Sequence, residues 1–219
     1  MPNAQTKEVL NQEAPQLSRA ERKRLEKRAR IVAAAETLMR DRPVDDVTIA
    51  DITDAADVGH GTFYLHFKSK NEVLVPIMQA RAAAWDERVQ AQLESREDPA
   101  EVFAFTARHM ARIALTEPLW RWFLGHSGVP VDDMRATVGQ FGARDIQRGL
   151  RTGRFEVPDL DVATHFVIGG YVHALLAALD LEIPEPVLDR TVEMILRVFG
   201  LSPEEAAALA NAPLPALQD

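Results

Sequence analysis

One segment of this 219-residue chain constrains its fold more than any other: residues 48–70, TIADITDAADVGHGTFYLHFKSK. Thr48 followed three positions later by Asp51 is a capping-box-like helix start. A tight turn follows at residues 57–59, where Asp57 is predicted to adopt a left-handed backbone conformation. A second short helix then ends in an aromatic and basic cluster over residues 63–68. Two short helices around such a turn are typical of a helix-turn-helix.

In a helix-turn-helix the second helix enters the DNA major groove, so this layout predicts a DNA-binding protein. Gly61, near the start of that helix, permits close approach of the backbone to DNA. Thr48 and Lys70 stand at predicted helix N-termini, where free amides and the helix dipole favour a phosphate. Hydroxyl and basic side chains supply further donors for phosphates or base edges, namely Thr62, Tyr64, His66, Lys68 and Lys70.

The charge of the chain is unevenly distributed, which matters because its net charge of −8 argues against a nucleic-acid partner. Residues 1–70 hold 12 basic and 11 acidic side chains (+1), whereas residues 71–219 hold 13 and 22 (−9). Seven of the basic residues form a basic stripe over residues 19–30. Because screening makes phosphate attraction local, the stripe suits DNA flanking the main contact. It also suits an ordinary solvated helix face, and the sequence leaves both interpretations open.

The remaining pattern predicts an all-α fold, because helical periodicity recurs along the chain and no segment has the pattern of a strand. Residues 1–18 are polar and predicted to be a mobile tail. Residues 19–69 form a predicted three-helix domain that contains the helix-turn-helix, and residues 70–219 form a larger helical domain. The larger domain is predicted to begin with a helix over 70–94 that contains Pro76. Two further helices are predicted to start at Asp98-Pro99 and at Pro118. The remaining predicted helices cover 132–151, 161–182 and 185–199, and a last short helix starts at Ser202-Pro203.

The stretch from Ile31 to Leu74 resembles the DNA-binding domain of the tetracycline-repressor (TetR) family of bacterial regulators. The most specific part is the run Gly61-Thr62-Phe63-Tyr64-x-His66-Phe67-x-Ser69-Lys70-x-Glu72-x-Leu74. The resemblance implies two sets of contacts. DNA-backbone contacts are expected from Thr48, Tyr64, His66 and Lys70, and approach to the bases is expected from His60, Gly61, Thr62 and Phe63.

The chain departs from the family pattern at the surface that would face DNA. Asp57 and Gly59 replace the glycine and serine that are usual in the turn. His60 and Leu65 stand where the family often has basic residues. We therefore expect two phosphate contacts to be weakened, and the basic stripe is a candidate for their replacement.

Aromatic, histidine and methionine residues recur in the predicted larger domain, and an apolar pocket with few polar groups suits a small molecule. Each of these residues alone also fits an ordinary core position. For the set, the resemblance favours an effector pocket, predicted to be lined by Phe103, His109, Met110, Trp120, Phe123, His126, Phe141, Phe166 and His173.

The predicted helices 161–182 and 185–199 are rich in small and apolar residues, including the pair Gly169-Gly170. Small residues permit close helix approach, so the two helices suit either an intramolecular core or a four-helix interface between two copies. The resemblance favours the second, a homodimer.

Several function classes find no support. The chain has no cysteine, which excludes disulfides and thiolate metal sites. His165 and His173 stand about 12 Å apart along a helix, at about 1.5 Å per residue, so no metal site is expected. Without a glycine-rich phosphate loop or a nucleophile elbow, neither a cofactor nor an enzymatic activity is expected. No signal peptide and no run of membrane-spanning length is expected either, which favours a cytoplasmic protein without a membrane partner.

The expected function is a DNA-binding transcriptional regulator, with repression favoured over activation. It would bind a near-palindromic double-stranded operator as a dimer and be released by a small, largely apolar effector. Two other interpretations stay open: a ligand-independent nucleoid or scaffold dimer, and a small-molecule enzyme with a vestigial DNA-binding head.

Overall fold

The computed structural model of the protein describes residues 18–93, 96–126, 137 and 139–217, with the backbone alone at 140 and 141. Every regular element in these ranges is helical, which confirms the all-α prediction. The tail predicted over residues 1–18, apart from Ser18, lies outside the described residues, as does the 132–136 start of one predicted helix. The elements are α1 (Arg19–Asp41), a 3-10 turn (Val44–Asp46), α2 (Ile49–Ala55), α3 (His60–Tyr64), α4 (Lys70–Leu93), α5 (Pro99–Thr116), α6 (Pro118–Gly125), α7 (Gln140–Arg151), α8 (Leu160–Ala178), α9 (Glu185–Val198) and α10 (Pro203–Ala210).

Local capping chemistry sets most helix starts. Thr48 and Asp51 form a reciprocal capping box at α2, and Asp98 caps α5 ahead of a proline at the first helical position. At the start of α4, Ser69 and Glu72 form only half of a capping box. Ser69 accepts from the amide of Glu72 at 3.3 Å, but the Glu72 carboxylate accepts from the amide of Lys68 at 2.7 Å.

The head, as we call residues 19–69, packs α1, α2 and α3 around Ile31, Ile52 and Phe63, each of them 0% exposed. Helix α1 also packs along α4. The larger part of the chain is organised around α5, which contacts α6, α7, α8, α9 and α10. An ion pair fixes α5 against α9, because the buried Arg108 donates from Nε to Asp189 Oδ1 at 2.9 Å.

One hydrophobic cluster runs through both parts of the chain. It begins with Ile31 and Phe63 in the head, continues through Leu74 of α4, and ends at Trp120 and Phe123 of α6. The division at residues 69 and 70 coincides with the start of α4. The domain boundary at this position stays a prediction, because the shared hydrophobic core extends across it.

Helix α8 corrects one expectation from the sequence. With 19 residues and a mean hydropathy of 1.3, it is long and apolar enough to cross a membrane by length and composition. By length and composition, α8 therefore differs from the expectation that no run of the chain reaches membrane-spanning length. Core helices of soluble proteins can have the same length and hydropathy, so this is weak support for a membrane span. Only 22% of the apolar 18-residue stretch of α8 is buried within one copy, so this helix has a large exposed apolar face.

The turn between α2 and α3 has the conformation that the sequence predicted. Asp57 has φ = 49°, in the left-handed region. Arg30 of α1 clamps the turn, because its Nη2 donates to the carbonyl oxygens of Ala56 and Asp57 at 2.5 and 2.8 Å and to Asp57 Oδ2 at 2.9 Å. Since the Asp57 side chain is 97% exposed, its ion pair contributes little, and the two carbonyl bonds hold the turn.

We therefore expect substitutions at Asp57 to follow backbone preference rather than charge. Asp57→Gly should leave the free energy of unfolding within about 0.5 kcal/mol, and Asp57→Ala should lower it by about 1–2 kcal/mol through left-handed strain. Urea denaturation measures both. Asp54→Ala on the exposed face of α2 is the control and should not destabilise. Equal stability of the alanine and glycine variants at residue 57 would contradict the argument.

Candidate nucleic-acid interface and internal cavity

Helix α3 leaves most of its predicted contact residues accessible. His60 and Gly61 are exposed, Tyr64 is 53% exposed and Thr62 is half-buried. A Cβ built on Gly61 meets no atom within 4 Å, so the helix can approach another surface closely there. The rings of His60 and Tyr64 pack edge to face, with centroids 5.4 Å apart, which restrains both side chains.

Phe63 differs from its neighbours in α3. Its side chain is 0% exposed and packs against Phe67 with ring centroids 5.8 Å apart. A fully buried ring cannot reach a base edge without opening the core of the head. We therefore assign the side chain of Phe63 to the core and remove it from the candidate DNA contacts.

The polar groups of Thr48 and Lys70 already have partners. Thr48 Oγ1 donates to Asp51 Oδ2 at 2.8 Å and accepts from the Asp51 amide at 3.1 Å. Hydrogen bonds from the Thr48 backbone and hydroxyl lower the pKa of Asp51. Lys70 Nζ donates to the carbonyl oxygens of Val44 and Asp45 at 2.6 and 3.3 Å. Because both acceptors are neutral, the positive charge of Lys70 is not cancelled by them.

His66 and Lys68 lie just beyond the end of α3. Lys68 is exposed, and His66 is half-buried. Burial lowers the pKa of His66, and the nearby cations Arg24, Arg28 and Lys27 lower it further. The basic stripe of α1 thus lies close enough to α3 to act on its electrostatics.

A partly open cavity lies between α4, α5, α7, α8 and α9. The centres of water-sized molecules can occupy ≈ 70 Å³ of it. One water needs roughly 10–15 Å³ by this measure, so the cavity suits a small organic molecule. Most of its wall is apolar, and the wall includes Phe103, Met110, Ile146, Val167, Ile168 and Ile195.

Three polar groups interrupt this apolar wall. Trp85 Nε1, Thr106 Oγ1 and Asp145 Oδ2 are buried and have no hydrogen-bond partner among the described residues. The other oxygen of Asp145 accepts from Arg144 Nε at 3.1 Å, and Arg144 also binds both oxygens of Asp86 at 2.7 and 2.9 Å. Burial raises the pKa of Asp145, and Arg144 opposes that shift. The cavity therefore offers hydrogen-bonding capacity that the protein itself leaves unused.

The predicted effector residues are spread over several environments. Phe103 and Met110 line the cavity. Trp120 and Phe123 are buried in the cluster that joins α6 to the head. The backbone of Phe141 belongs to α7, and its side chain lies outside the described residues.

Phe166 and His173 lie on the outer face of α8, where Phe166 is 67% exposed, and neither lines the cavity. The sequence analysis missed Thr106 and Asp145 because it concentrated on aromatic and histidine side chains. The sequence did contain one indication of a polar group in the cavity, because Asp145 lies directly before Ile146 in the amphipathic helix α7.

His109 is buried near the cavity but outside its wall. The chain after α10 covers it, and a hydrogen bond to the backbone of Pro215 opposes the effect of burial, which lowers the pKa of His109. The same C-terminal segment places Leu214 and Leu217 against the cluster that contains Trp85 and Met110. This segment therefore covers the outer side of two residues that line the cavity.

His126 lies at the contact between α6 and the head. Its ring stacks on Trp122 with centroids 3.5 Å apart, and its Nε2 lies 3.7 Å from Asp45 Oδ1. Trp122 Nε1 donates to Asp45 Oδ2 at 3.1 Å. Across the described ranges, no three His, Cys, Asp or Glu side chains are grouped as metal ligands.

Helices α8 and α9 and the segment between them expose eight large apolar side chains, which together we call the α8–α9 face. Its members are Val162, Phe166, Leu176, Leu181, Ile183, Val187, Met194 and Val198. Gly169 and Gly170 are exposed on α8, and a Cβ built on either meets no atom within 4 Å. Other apolar residues of these helices, such as Leu188 and Leu196, belong to the intramolecular core.

Comparison with known proteins relates both parts of the chain to one family. Residues 98–212 match the family model "Tetracyclin repressor-like, C-terminal domain". Residues 31–76 match the family model "Bacterial regulatory proteins, tetR family". The first match contains every residue that lines the cavity except Trp85, and the second contains the helix-turn-helix.

Similar proteins agree with these matches. The crystal structure of RolR in complex with resorcinol is 34% identical with a TM-score of 0.80, covering 90% of this chain and 99% of RolR. FadR of Thermus thermophilus, solved with lauroyl-CoA, shares the fold at 22% identity and a TM-score of 0.66, covering 86% of this chain and 99% of that one. EthR of Mycobacterium tuberculosis is 34% identical over 68 residues, which are 31% of this chain and only 32% of EthR.

Together, the two family matches and the similarity to RolR include the accessible helix α3 and the helices that surround the cavity. The chain therefore belongs to the TetR family of transcriptional regulators and carries the DNA-binding helix-turn-helix of that family.

Proposed function

We propose that the protein is a dimeric repressor that binds a near-palindromic operator through α3 and is released by a small hydroxylated aromatic effector. One observation carries the proposal. A single chain combines an accessible helix-turn-helix with an apolar cavity whose polar atoms lack partners. The first feature suits DNA, and the second suits a ligand that is apolar but carries hydroxyl groups.

In the proposed docking, α3 lies in the major groove. His60, Gly61 and Thr62 approach base edges, because they are accessible and Gly61 has open space around it. The Tyr64 hydroxyl and Lys68 bind phosphates on one side. Lys70 contributes through its charge and by holding the 3-10 turn, since its ammonium group already binds two carbonyl oxygens.

The α8–α9 face supports the proposed homodimer. An exposed apolar surface of this kind marks an interaction site in soluble proteins. The open space at Gly169 and Gly170 allows a second helix to approach α8 closely. A twofold axis through the face would pair α8 and α9 of each copy into four helices and bury the apolar surface of α8. It would also place two α3 helices for the two halves of one operator.

The ligand class follows from the cavity and is supported by a relative. A single ring fits the apolar wall, and hydroxyl groups on the ring can donate to Asp145 Oδ2 and bond with Thr106 Oγ1. An unsatisfied buried polar atom costs about 1–3 kcal/mol, so a ligand that pairs it gains affinity and selectivity. RolR, which is similar over 90% of this chain, was solved with resorcinol, a benzene ring with two hydroxyl groups.

A ligand-independent nucleoid or scaffold dimer is the rival function. It predicts binding that is indifferent to DNA sequence and to small aromatic ligands. Selection of bound duplexes from a random pool by the purified protein separates the two functions, since enrichment of one palindromic sequence supports the regulator.

Removal of one hydroxyl tests the docking of α3. Tyr64→Phe keeps the ring contacts with His60 and Phe63 and should weaken binding to the selected operator roughly tenfold, the loss of one hydrogen bond to a charged phosphate. Fluorescence anisotropy measures the affinity. The control is Tyr171→Phe, which removes a buried hydroxyl that donates to Ala107. The control should lower stability and retain DNA affinity. Full affinity in Tyr64→Phe would contradict the docking.

A pair of substitutions tests the dimer. Phe166→Glu with Met194→Glu places charge on the α8–α9 face, where these side chains are 67% and 65% exposed in one copy. Burying unpaired charges is costly, so sedimentation at micromolar concentration should show a monomer. Leu25→Glu with Leu65→Glu adds the same charge to exposed positions in the head and should leave the dimer intact. A dimer that survives the first pair would place the interface elsewhere.

Thr106→Val tests the ligand class. Loss of the unpartnered hydroxyl should weaken resorcinol binding roughly tenfold in calorimetry and raise the free energy of unfolding by about 1 kcal/mol. Thr116→Val, at an exposed position of the same helix, is the matched control: it should leave resorcinol binding unchanged and give no gain in stability, because its hydroxyl donates to the carbonyl of Arg112 at 2.9 Å. No binding of resorcinol or phenol by the wild-type protein would contradict the assigned ligand class and leave the DNA docking untouched.

A further inference from the structure

The first half of α1 extends from the head into solvent. All residues from 18 to 30 are exposed, and the first buried residue of the helix is Ile31. At about 1.5 Å per residue, the basic stripe (residues 19–30) is about 18 Å long. A helix segment with no buried face receives little stabilisation from packing, and isolated helices of this length are marginal in water. The capping box formed by Ser18 and Glu21 secures its start.

Most charges of the stripe have no ion-pair partner in the described part of the chain, and Arg30, which pairs with Asp57, is the exception. Among the described residues, no carboxylate forms an ion pair with Arg19, Arg22, Lys23, Arg24 or Lys27. Arg19 and Lys23, like Lys23 and Lys27, stand four positions apart on one helix face. Such like-charge pairs destabilise a helix by roughly 0.2–0.5 kcal/mol each. The neighbouring face does alternate in charge, because Glu26 lies four positions from both Arg22 and Arg30, so the like charges are concentrated on the face of Arg19, Lys23 and Lys27.

Two contacts fix the direction of the stripe relative to α3. The guanidinium group of Arg28 lies over the ring of Phe67, 5.0 Å from its centroid. Arg30 clamps the turn at Asp57 that precedes α3, as described above. Because both anchors sit at the two ends of α3, the stripe is held beside the recognition helix.

An open groove separates the stripe from α3. One wall consists of Lys23, Arg24 and Lys27 of α1, and the other includes Thr62, Leu65 and His66. Arg24 and Lys27 act with burial to lower the pKa of His66 on the opposite wall. The groove is therefore cationic on one side and directly continuous with the surface that is proposed to face DNA.

We infer that the basic stripe is a second DNA-binding element, which follows the phosphate backbone next to the groove that α3 enters. Duplex DNA carries about one negative charge per 1.7 Å of axis, so a cationic helix about 18 Å long faces several phosphates at once. Leu65, at 73% exposed, provides an apolar contact for a deoxyribose on the other wall. The inference rests on the proposed docking of α3 and extends it to DNA that flanks the bases contacted by α3.

The experiment compares two triple variants of the full-length protein that carry the same net charge. In the first, Lys23→Gln, Arg24→Gln and Lys27→Gln remove the cationic wall. In the control, Arg40→Gln, Arg88→Gln and Arg151→Gln remove three exposed cations outside the groove. Glutamine keeps the helix propensity of lysine and arginine, and far-ultraviolet circular dichroism verifies that α1 is retained. The ligand is the operator duplex selected by the wild-type protein, titrated by anisotropy at several KCl concentrations.

The measured quantity is the slope of log K against log salt concentration. Each lost phosphate contact should lower its magnitude by about 0.9, so the first variant should lose about 2.7 for each protomer bound. The control should keep the wild-type slope. Hydroxyl-radical footprinting should show that the first variant loses backbone protection outside the central base contacts.

The outcomes separate the inference from the proposed function. A wild-type slope and footprint in the first variant overturn the role of the stripe and leave the docking of α3 standing. An equal loss of slope in both variants also overturns it, since net charge alone would then explain the effect. A wild-type protein that selects no sequence overturns the proposed function itself.

Discussion

The packing of one hydrophobic cluster governs how the parts of this protein relate to each other. It joins Ile31 and Phe63 of the head to Leu74 of α4 and to Trp120 of α6. Protein interiors are close-packed, so the head cannot turn without displacing side chains on both α4 and α6. Helix α4 also carries Trp85, which lines the cavity. The cavity wall and the support of the head are therefore two stretches of a single helix, and a ligand that shifts this helix acts on both.

A small set of polar contacts lies where the head meets α6. The 3-10 turn at Val44–Asp46 receives bonds from Lys70 at the start of α4 and from Trp122 of α6. A net hydrogen bond is worth about 0.5–1.5 kcal/mol, and coupling between two binding sites is typically 1–3 kcal/mol. The free energy of one or two of these hydrogen bonds, together with a change in packing, is therefore as large as a typical coupling energy. Breaking them is sufficient to couple effector binding to DNA binding in the proposed function.

The sequence predicted most strongly where local chemistry determines the structure. Capping at Thr48 and Asp98 and the left-handed Asp57 depend on residues within a few positions of each other, and the structure confirms them. The cavity depends on distant segments instead. Thr106 and Asp145 become neighbours only when α5 and α7 pack, and no local pattern contains that information. Phe63 shows the intermediate case, because the family resemblance implied a base contact and the packing of the head places its side chain in the core.

The effect of charge on DNA binding depends on where the charged side chains lie, because electrostatic interactions in salt act over short distances. A net charge of −8 opposes DNA binding only if its sources lie near the DNA. At physiological salt the Debye length is about 8 Å, so carboxylates several helices away from α3 are screened. The unpaired cations of the basic stripe, in contrast, lie on the wall of the groove beside α3. In the proposed docking, the acidic body disfavours indiscriminate binding to DNA, while the stripe attracts DNA to the surface where α3 would contact bases.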